Sequence, residues 1–352
     1  MPINKNLCKH ILTIAPHYLP PQGGITQVIY NYDKYVFEEF QFLPLMKGKT
    51  VIARRFSIII SLIRLFFKLL FNKSIRIIHI HSASYSSFQH SVLFMKVAKM
   101  HNRKVVMHIH GGGFAAYYET KPEWIKSMLN KCDVVIALTS YWEKFFKEKV
   151  GCKNVVQVNN IIEAPQYNET VKNAACKHFL YLGKVYKEKG IYDLIEVIKD
   201  HKNEFEGRLV LHIGGGGEID KLNRIIGENS LQDIVKHEGW VNGQKKTNLL
   251  NQCDVYILPS YFEGLPISIL EGLSYGHYII STTVGGIPEI IKGDEVGTLL
   301  TPGDKVALYE AIKKTIENEK LSETREKRIA ISKKHQPIEV AKKLIETYNK
   351  VL

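Results

Sequence analysis

NQCDVYILPSYFEGLPISILEGLSYGHYIIST, residues 251–282, holds two short apolar runs, at 255–258 and 278–281, separated by a segment of helical spacing. The runs are too short for helices and rich in β-branched and aromatic residues. Pro266 suits the first position of the intervening helix, where its missing N–H costs nothing. Strand, loop, helix and strand in that order make a crossover unit, which implies parallel pairing. The same rhythm continues outward through the second half, with runs at 178–182, 209–213, 235–238 and 298–300. It also fills the first half, with runs at 10–15, 42–45, 75–80, 104–109, 133–138 and 155–158. Amphipathic stretches at 27–39, 89–101 and 140–150 lie between those runs, so parallel sheets flanked by helices are implied.

Residues 159–174 (NNIIEAPQYNETVKNA) break the rhythm with polar residues and a proline, which marks a linker. At 352 residues the chain exceeds what one core usually organises. The sequence therefore predicts an α/β protein of two doubly wound, Rossmann-like domains, 1–165 and 166–335, with a terminal helix at 336–352. Ligands of such sheets sit beyond the carboxyl ends of the strands. With two domains facing each other, the central cleft is the natural site.

The composition, 45% hydrophobic and 24% charged, excludes the disordered, collagenous and coiled-coil classes. Five cysteines (Cys8, Cys132, Cys152, Cys176 and Cys253) are widely spaced and include no CxxC pair. That pattern points to reduced thiols in a cytoplasm rather than a disulfide framework or a zinc ribbon. The first twenty residues contain no long apolar run, so no cleaved signal peptide is expected. The net charge is +13, and it is unevenly spread. Residues 1–165 carry 22 Lys and Arg against 9 Asp and Glu, whereas 166–352 carry 26 of each. The first half is thus the one suited to an anionic surface or acceptor.

Residues 54–73 (RRFSIIISLIRLFFKLLFNK) sharpen that point. Ser57, Ser61, Arg64, Lys68 and Asn72 fall on one narrow polar stripe of a helix otherwise made of Phe, Ile and Leu. Arg64 at its middle opposes spanning a bilayer. Two arrangements stay open. The segment lies in a membrane interface, with Arg54, Arg55, Arg64 and Lys68 toward anionic lipid or acceptor. Or it packs on its own sheet, with Arg64 and Lys68 in solvent.

Chemistry concentrates after the run at 255–258. A helix opening at Pro266 leaves the amides of Ile267 and Ser268 free, and free amides at the positive end of a helix attract anions. Glu263 and Glu271 flank that opening. They would repel phosphate, so they are suited to accept hydrogen bonds from hydroxyls, as an acidic residue does on a ribose. Phosphate donors beside hydroxyl acceptors describe a nucleotide-sugar site. LGKVYKEKG, 182–190, places Lys184 and Lys189 in a strand-to-helix loop where they could reach a diphosphate. Gly23 and Gly24 precede a helix and allow close backbone approach. HIGGGGE, 212–218, falls short of a dinucleotide fingerprint. VGGIPE, 284–289, reads as a structural turn. HIH occurs at 79–81 and 108–110, each pair on one face of a strand. No third ligand of convincing spacing supports a metal site, so none is expected. His110 stands at a strand's carboxyl end, where it could meet a sugar, whereas His79, His81 and His108 read as structural.

EGLPISILE, 263–271, resembles the E-x7-E motif of retaining glycosyltransferases of the GT-B fold, in particular glycosyltransferase family 4. Residues 239–291 resemble the donor-binding half of that family throughout. GKVYKEKG, 183–190, is similar to its G-R-x-x-x-x-K-G pattern, with Lys184 where Arg is usual. Gly23–Gly24 and HIHGGGF are similar to its glycine loop and its histidine segment. The resemblance implies that Lys184, Lys189 and the amides of Gly24, Ile267 and Ser268 hold the diphosphate. It implies Glu271 on the ribose, Glu263 with Gly264, Leu265 and Pro266 on the sugar, and backbone near Val241 beside the base. It implies His110 and Glu263 as catalytic residues and the final helix crossing back to the first domain. Lysine at 184 keeps the charge but loses the guanidinium fork.

The implied activity is retaining, metal-independent transfer of a sugar from a UDP- or GDP-sugar. The implied acceptor is a glycan or polyprenyl-diphosphate-linked molecule of cell-surface polysaccharide synthesis, at the inner face of the cytoplasmic membrane. No Asp-x-Asp occurs in the chain, so two lysines and a helix terminus would replace a metal. No resident cofactor, no nucleic-acid partner and a monomer are expected. The alternatives are a nucleotide-sugar epimerase or phosphorylase of the same fold, a catalytically silent sugar-nucleotide sensor, and a basic nucleic-acid-binding protein. The last lacks interleaved Arg and aromatic residues for stacking on bases.

Overall fold

The computed structural model describes residues 2–46, 50–168 and 176–352. The chain divides into two compact units, Met1–Glu163 with Lys334–Leu352, and Ala164–Lys333. Each contains one six-stranded, wholly parallel sheet.

The strands of the first unit are β1 (Ile11–Ala15), β2 (Phe42–Pro44), β3 (Ile77–Ser82), β4 (Lys104–Ile109), β5 (Val134–Ala137) and β6 (Val155–Gln157). They lie in the order β2-β1-β3-β4-β5-β6. The second unit holds β7 (Lys177–Leu182), β8 (Leu209–Gly214), β9 (Val235–Gly239), β10 (Val255–Leu258), β11 (Tyr278–Thr282) and β12 (Gly297–Leu300). Their order, β12-β11-β10-β7-β8-β9, is that of a Rossmann fold. Every apolar run in the sequence forms a strand. β1, β3, β5, β10 and β11 are buried at every position, as strands covered on both faces must be.

The strand order locates the place where a ligand can enter. In the second unit the order reverses between β7 and β10, so the loops that leave these strands diverge and open a crevice. Those loops are 183–190 and 259–266. In the first unit the reversal lies between β1 and β3, with β4 next in the sheet. The helix Pro337–Val351 belongs to the first unit and buries Val340, Leu344 and Tyr348 in its core.

The helix Val51–Phe71 departs from the sequence reading. Thr50 caps it, its Oγ1 accepting from the Ala53 N–H at 3.2 Å. Ile58, Ser61, Leu65 and Leu69 turn inward and are buried. The expected polar stripe is not one face of uniform exposure, because Ser61 is buried whereas Arg64 and Lys68 are exposed. The stripe runs along the border of the packed face, since inward positions recur every three to four residues. Beyond it, Ile52, Phe56, Ile59, Ile60, Ile63, Phe67, Leu70 and Phe71 are all exposed. The helix therefore packs on its own unit and also turns an apolar face outward. Arg55 is exposed as well, and the side chain of Arg54 lies outside what is described. No helix among the described residues is long and apolar enough to cross a membrane.

Candidate active site

Two backbone contacts join the loops leaving β7 and β10. The Tyr261 N–H donates to the Glu188 carbonyl at 2.9 Å. Gly190, at φ +68°, runs so close to Pro259 that a Cβ there would lie 1.9 Å from the Pro259 carbonyl oxygen. Only glycine satisfies both conditions. The contacts bring Lys189 to Glu263. Its Nζ donates to Glu263 Oε1 at 2.6 Å, and the Ser260 hydroxyl donates to the same oxygen at 2.8 Å. The Glu263 side chain is only 10% exposed, so its charge is largely withdrawn from water and is met by the lysine.

Glu271 has a counterpart that the sequence reading missed. Lys246, on the helix Gly243–Gln252, donates to Glu271 Oε1 at 2.7 Å. Both side chains of the pair are less than one fifth exposed. The seven residues between Glu263 and Glu271 thus separate two acid–lysine pairs. Helical spacing inside 263–271 could not point to Lys246, which arrives from a different helix.

The helix Ile267–Ser274 begins between the pairs. Pro266 is its N-cap, at φ −66° and ψ 123°, rather than its first residue, and no side chain caps the end. A proline fits there too, and Ile267 and Ser268 remain the first two amides. The turn before the helix is held from below. A Cβ on Gly285, at φ +55°, would lie 1.9 Å from the Glu263 carbonyl oxygen, and the Gly286 N–H donates to the Gly264 carbonyl at 2.8 Å. VGGIPE is therefore the structural turn that the sequence indicates. Below them, the Tyr256 hydroxyl donates to the Leu182 carbonyl at 3.0 Å, tying β10 to β7 at the reversal point. Burial pushes that phenol well above its usual range, so it stays a neutral donor.

Lys184 is exposed, and its carbonyl accepts from the Tyr181 hydroxyl at 2.9 Å. The Val185 N–H donates to the Gly216 carbonyl at 2.8 Å, so the glycine run after β8 braces this loop. Val241 packs over Gly214, beside the exposed Trp240.

In the first unit, Gly24 opens the helix Gly24–Tyr35 with Gly23 as its cap. A Cβ on either would meet nothing within 4 Å. His110 follows β4, and its Nε2 lies 2.8 Å from His81 Nδ1 on β3. His79, His81, His108 and His110 form one stack, as alternation across paired strands requires. The register pairs His81 with His108. It also brings His79, His81 and His108 together, their ring nitrogens within 4.8 Å of one another. The missing third histidine, the reason for expecting no metal, is therefore supplied by the neighbouring strand.

Burial lowers His79 and His110 to about 3, and a hydrogen bond with the Asn160 side chain only partly offsets the shift in His110. His81 and His108 are held well below the ordinary histidine range by burial and by their neighbours. His335 is lowered to about 4, again mainly by burial. All five rings are neutral near pH 7, so His110 can act there as a hydrogen-bonding group but not as a cation. Unfolding exposes these rings and returns them to about 6.5. Their stabilisation is thus complete above about pH 6.5 and is lost as pH falls toward 3 to 4, by up to about 1.4 kcal/mol per pH unit for each ring. Thermal melts are expected to fall by about 5–10 °C between pH 7.5 and pH 5. An unchanged midpoint would contradict the neutral stack.

The sequence signature described as "Glycosyl transferases group 1" matches residues 166–335, and that of "Glycosyltransferase Family 4" matches residues 23–164. An uncharacterized glycosyltransferase of Methanocaldococcus jannaschii, MJ1069, is 25% identical over 257 residues, covering 66% of this chain and 65% of that protein. The amylovoran biosynthesis glycosyltransferase AmsK of Erwinia amylovora is 27% identical over 159 residues, 42% of this chain and 38% of that protein. The chain spans less than two thirds of the length of either relative. Among solved structures, a sucrose-phosphate synthase from Thermosynechococcus elongatus superposes with a TM-score of 0.76 at 17% identity, covering 97% of this chain and 98% of that one. Anabaena HepE in complex with UDP-glucose also reaches 0.76, at 15% identity and with 97% and 99% coverage. These likenesses show the fold. With both signatures matched along most of its length and two parallel sheets of the GT-B type, the chain belongs to glycosyltransferase family 4.

Proposed function

We propose that the protein transfers a sugar from a UDP- or GDP-sugar to a glycan or polyprenyl-diphosphate-linked acceptor in cell-surface polysaccharide synthesis, with retention and without a metal. The observation that carries this reading is the pair of half-buried acid–lysine contacts on either side of an uncapped helix N-terminus, at the reversal point of a Rossmann sheet. The name of the relative AmsK and the UDP-glucose held by HepE support the class of acceptor and donor.

The chemistry follows from charge. Glycosyl transfer passes through an oxocarbenium-like state while negative charge grows on the departing diphosphate. Preorganised donors are the largest source of stabilisation for such charge. Lys189 and the exposed Lys184, with the amides of Gly24, Ile267 and Ser268, supply them. Glu271, oriented by Lys246, accepts from the ribose hydroxyls. Glu263 and the turn Gly264–Leu265–Pro266 hold the sugar, and Val241 lies beside the base. His110 gives the sugar a neutral hydrogen-bonding partner. The departing phosphate takes the acceptor's proton as the acceptor attacks on the same face, so no side-chain nucleophile is required. The protein works on the inner face of the cytoplasmic membrane, as a monomer, with the outward face of the helix Val51–Phe71 in the lipid interface.

A thermal-shift panel of UDP-, GDP- and ADP-sugars, each with and without excess EDTA, tests the donor assignment. One nucleotide should raise the midpoint, since a ligand at 100 times its Kd stabilises by about 2.7 kcal/mol. The rise should persist in EDTA. No rise with any donor, or a rise only with metal, would overturn the reading. A new sugar isomer formed without acceptor would point instead to an epimerase.

A further inference from the structure

We propose that the crevice of the first unit takes an uncharged sugar as acceptor, laid against the exposed ring of Tyr85. The proposal rests on the reading of the protein as a transferase that hands its sugar to a glycan.

The strand order sets the place. β1 and β3 flank the reversal in the first sheet, so the loops that leave them, 16–23 and 83–85, open at its carboxyl edge. Tyr85 ends the second loop at φ 54° and ψ −125°, just before the helix Ser86–Met100. A positive φ favours glycine, and on a bulky residue it marks strain. Strain of this kind persists only where the surroundings impose it, and it gathers at ligand sites. Burial does not compensate here, since the residue is 51% exposed. The ring is held from behind all the same. The buried Tyr117 tilts against it, with ring centres 4.8 Å apart. A Cβ on Gly113 would lie 4.0 Å from its Cε2, and one on Gly111 would lie 2.9 Å from the Ser84 nitrogen. The loops leaving β3 and β4 thus run side by side, and His110 stands directly before that contact. The result is a fixed aromatic face at the carboxyl edge, beside the residue read as meeting the donor sugar.

Charge identifies the ligand. The first 165 residues carry 22 Lys and Arg and 9 Asp and Glu, yet residues 10–32, 77–95 and 105–118 contain none of either kind. Those stretches hold β1, β3, nearly all of β4, the loops that leave them and the opening turns of the helices that follow. No lysine or arginine there can pair with a carboxylate on the acceptor, and an anion without a counter-charge is costly to desolvate. The exposed Ser86 and Gln89, on the first turn after Tyr85, offer neutral hydrogen-bonding groups. An aromatic face with such groups beside it suits a pyranose, whose C–H face is apolar and whose rim carries hydroxyls. The positive excess of the first half lies in other stretches, so any anionic part of the acceptor is bound elsewhere.

The test uses the full chain, the nucleotide-sugar that the thermal panel selects, and methyl glycosides as acceptor probes. The neutral probes are methyl glucoside, methyl galactoside and methyl N-acetylglucosaminide, and methyl glucuronide is the acidic one. A neutral glycoside should be glycosylated with kcat/KM at least about 10-fold above that of methyl glucuronide. Tyr85→Phe should keep the acceptor KM within about threefold. Tyr85→Gly should raise it roughly 10- to 50-fold with the donor KM unchanged. Glycine fits the backbone at 85 without strain, so Tyr85→Gly should melt within about 4 °C of the native chain. A larger fall would make Tyr85 a structural anchor and overturn the proposal. A preference for methyl glucuronide, or an acceptor KM that Tyr85→Gly leaves unchanged, would overturn it too. Saturation-transfer NMR keeps the two readings apart. Neutral glycosides that bind the native chain but not Tyr85→Gly, with no transfer from any donor, would end the transferase reading and leave the sugar site standing. No binding of any neutral glycoside would end the sugar site, whatever the transfer assay shows.

Discussion

Lys189→Ala is expected to lower kcat/KM for donor about 100- to 1,000-fold, the usual cost of removing one preorganised donor from a developing anion. Two effects combine. Lys189 is lost to the diphosphate, and Glu263, 10% exposed, is left charged without its partner. Breaking a buried pair on one side typically costs about 3–5 kcal/mol of stability. The exposed edge of this pair puts it at or below the lower end, because the lysine is 31% exposed. The double variant Lys189→Ala/Glu263→Gln separates the two effects. It should restore the melting temperature but not the transfer rate. Glu271→Ala should behave alike, because Lys246 loses its 2.7 Å contact. Initial rates of donor hydrolysis and transfer, taken beside melts of the same samples, would decide. Native rates in Lys189→Ala and Glu271→Ala would mean that the donor lies elsewhere.

Flotation with vesicles should show the second large effect. The native chain is expected to float with vesicles containing phosphatidylglycerol and to sink with phosphatidylcholine alone. The helix Val51–Phe71 contains no acidic residue, and the first 165 residues carry the entire positive excess of the chain. Each basic side chain near an anionic surface is worth about 1 kcal/mol. Arg64→Glu/Lys68→Glu should thus lower partitioning at least about 30-fold. Phe56→Ser/Phe67→Ser should abolish it by removing apolar depth, and both pairs are exposed, so the fold should survive. A second copy of the chain is the rival occupant of that face. A stable dimer by light scattering, with no flotation, would replace the membrane by a dimer interface.

The fold was legible because periodicity is local. A buried parallel strand is a run of apolar residues whatever lies beside it, and all twelve strands match such runs. The donor motif was legible for a related reason: Glu263, Pro266 and Glu271 lie within one turn and one helix. What escaped notice depends on pairing between distant segments. Lys246 meets Glu271 from 25 residues away, and His108 meets His81 only through strand register. The helix Val51–Phe71 shows the limit most clearly. Its composition is apolar nearly all round, so the pattern could mark Arg64 and Lys68 but not say which apolar side the sheet would claim. His79, His81 and His108 read as structural in the sequence, and their stacking with His110 appeared only with strand register.

The close backbone approaches at Gly190 and Gly285 bear on how this protein could be retargeted. Neither glycine leaves room for a methyl group, since the carbonyl oxygens of Pro259 and Glu263 already occupy that space. Any library that varies these two positions will mostly return collapsed loops, whatever sugar it was meant to accept. Diversity is better spent on the exposed Trp240 and on Val241, whose side chain lies against Gly214. A change of donor preference should emerge there first, while the frame that sets the two acid–lysine pairs stays as it is.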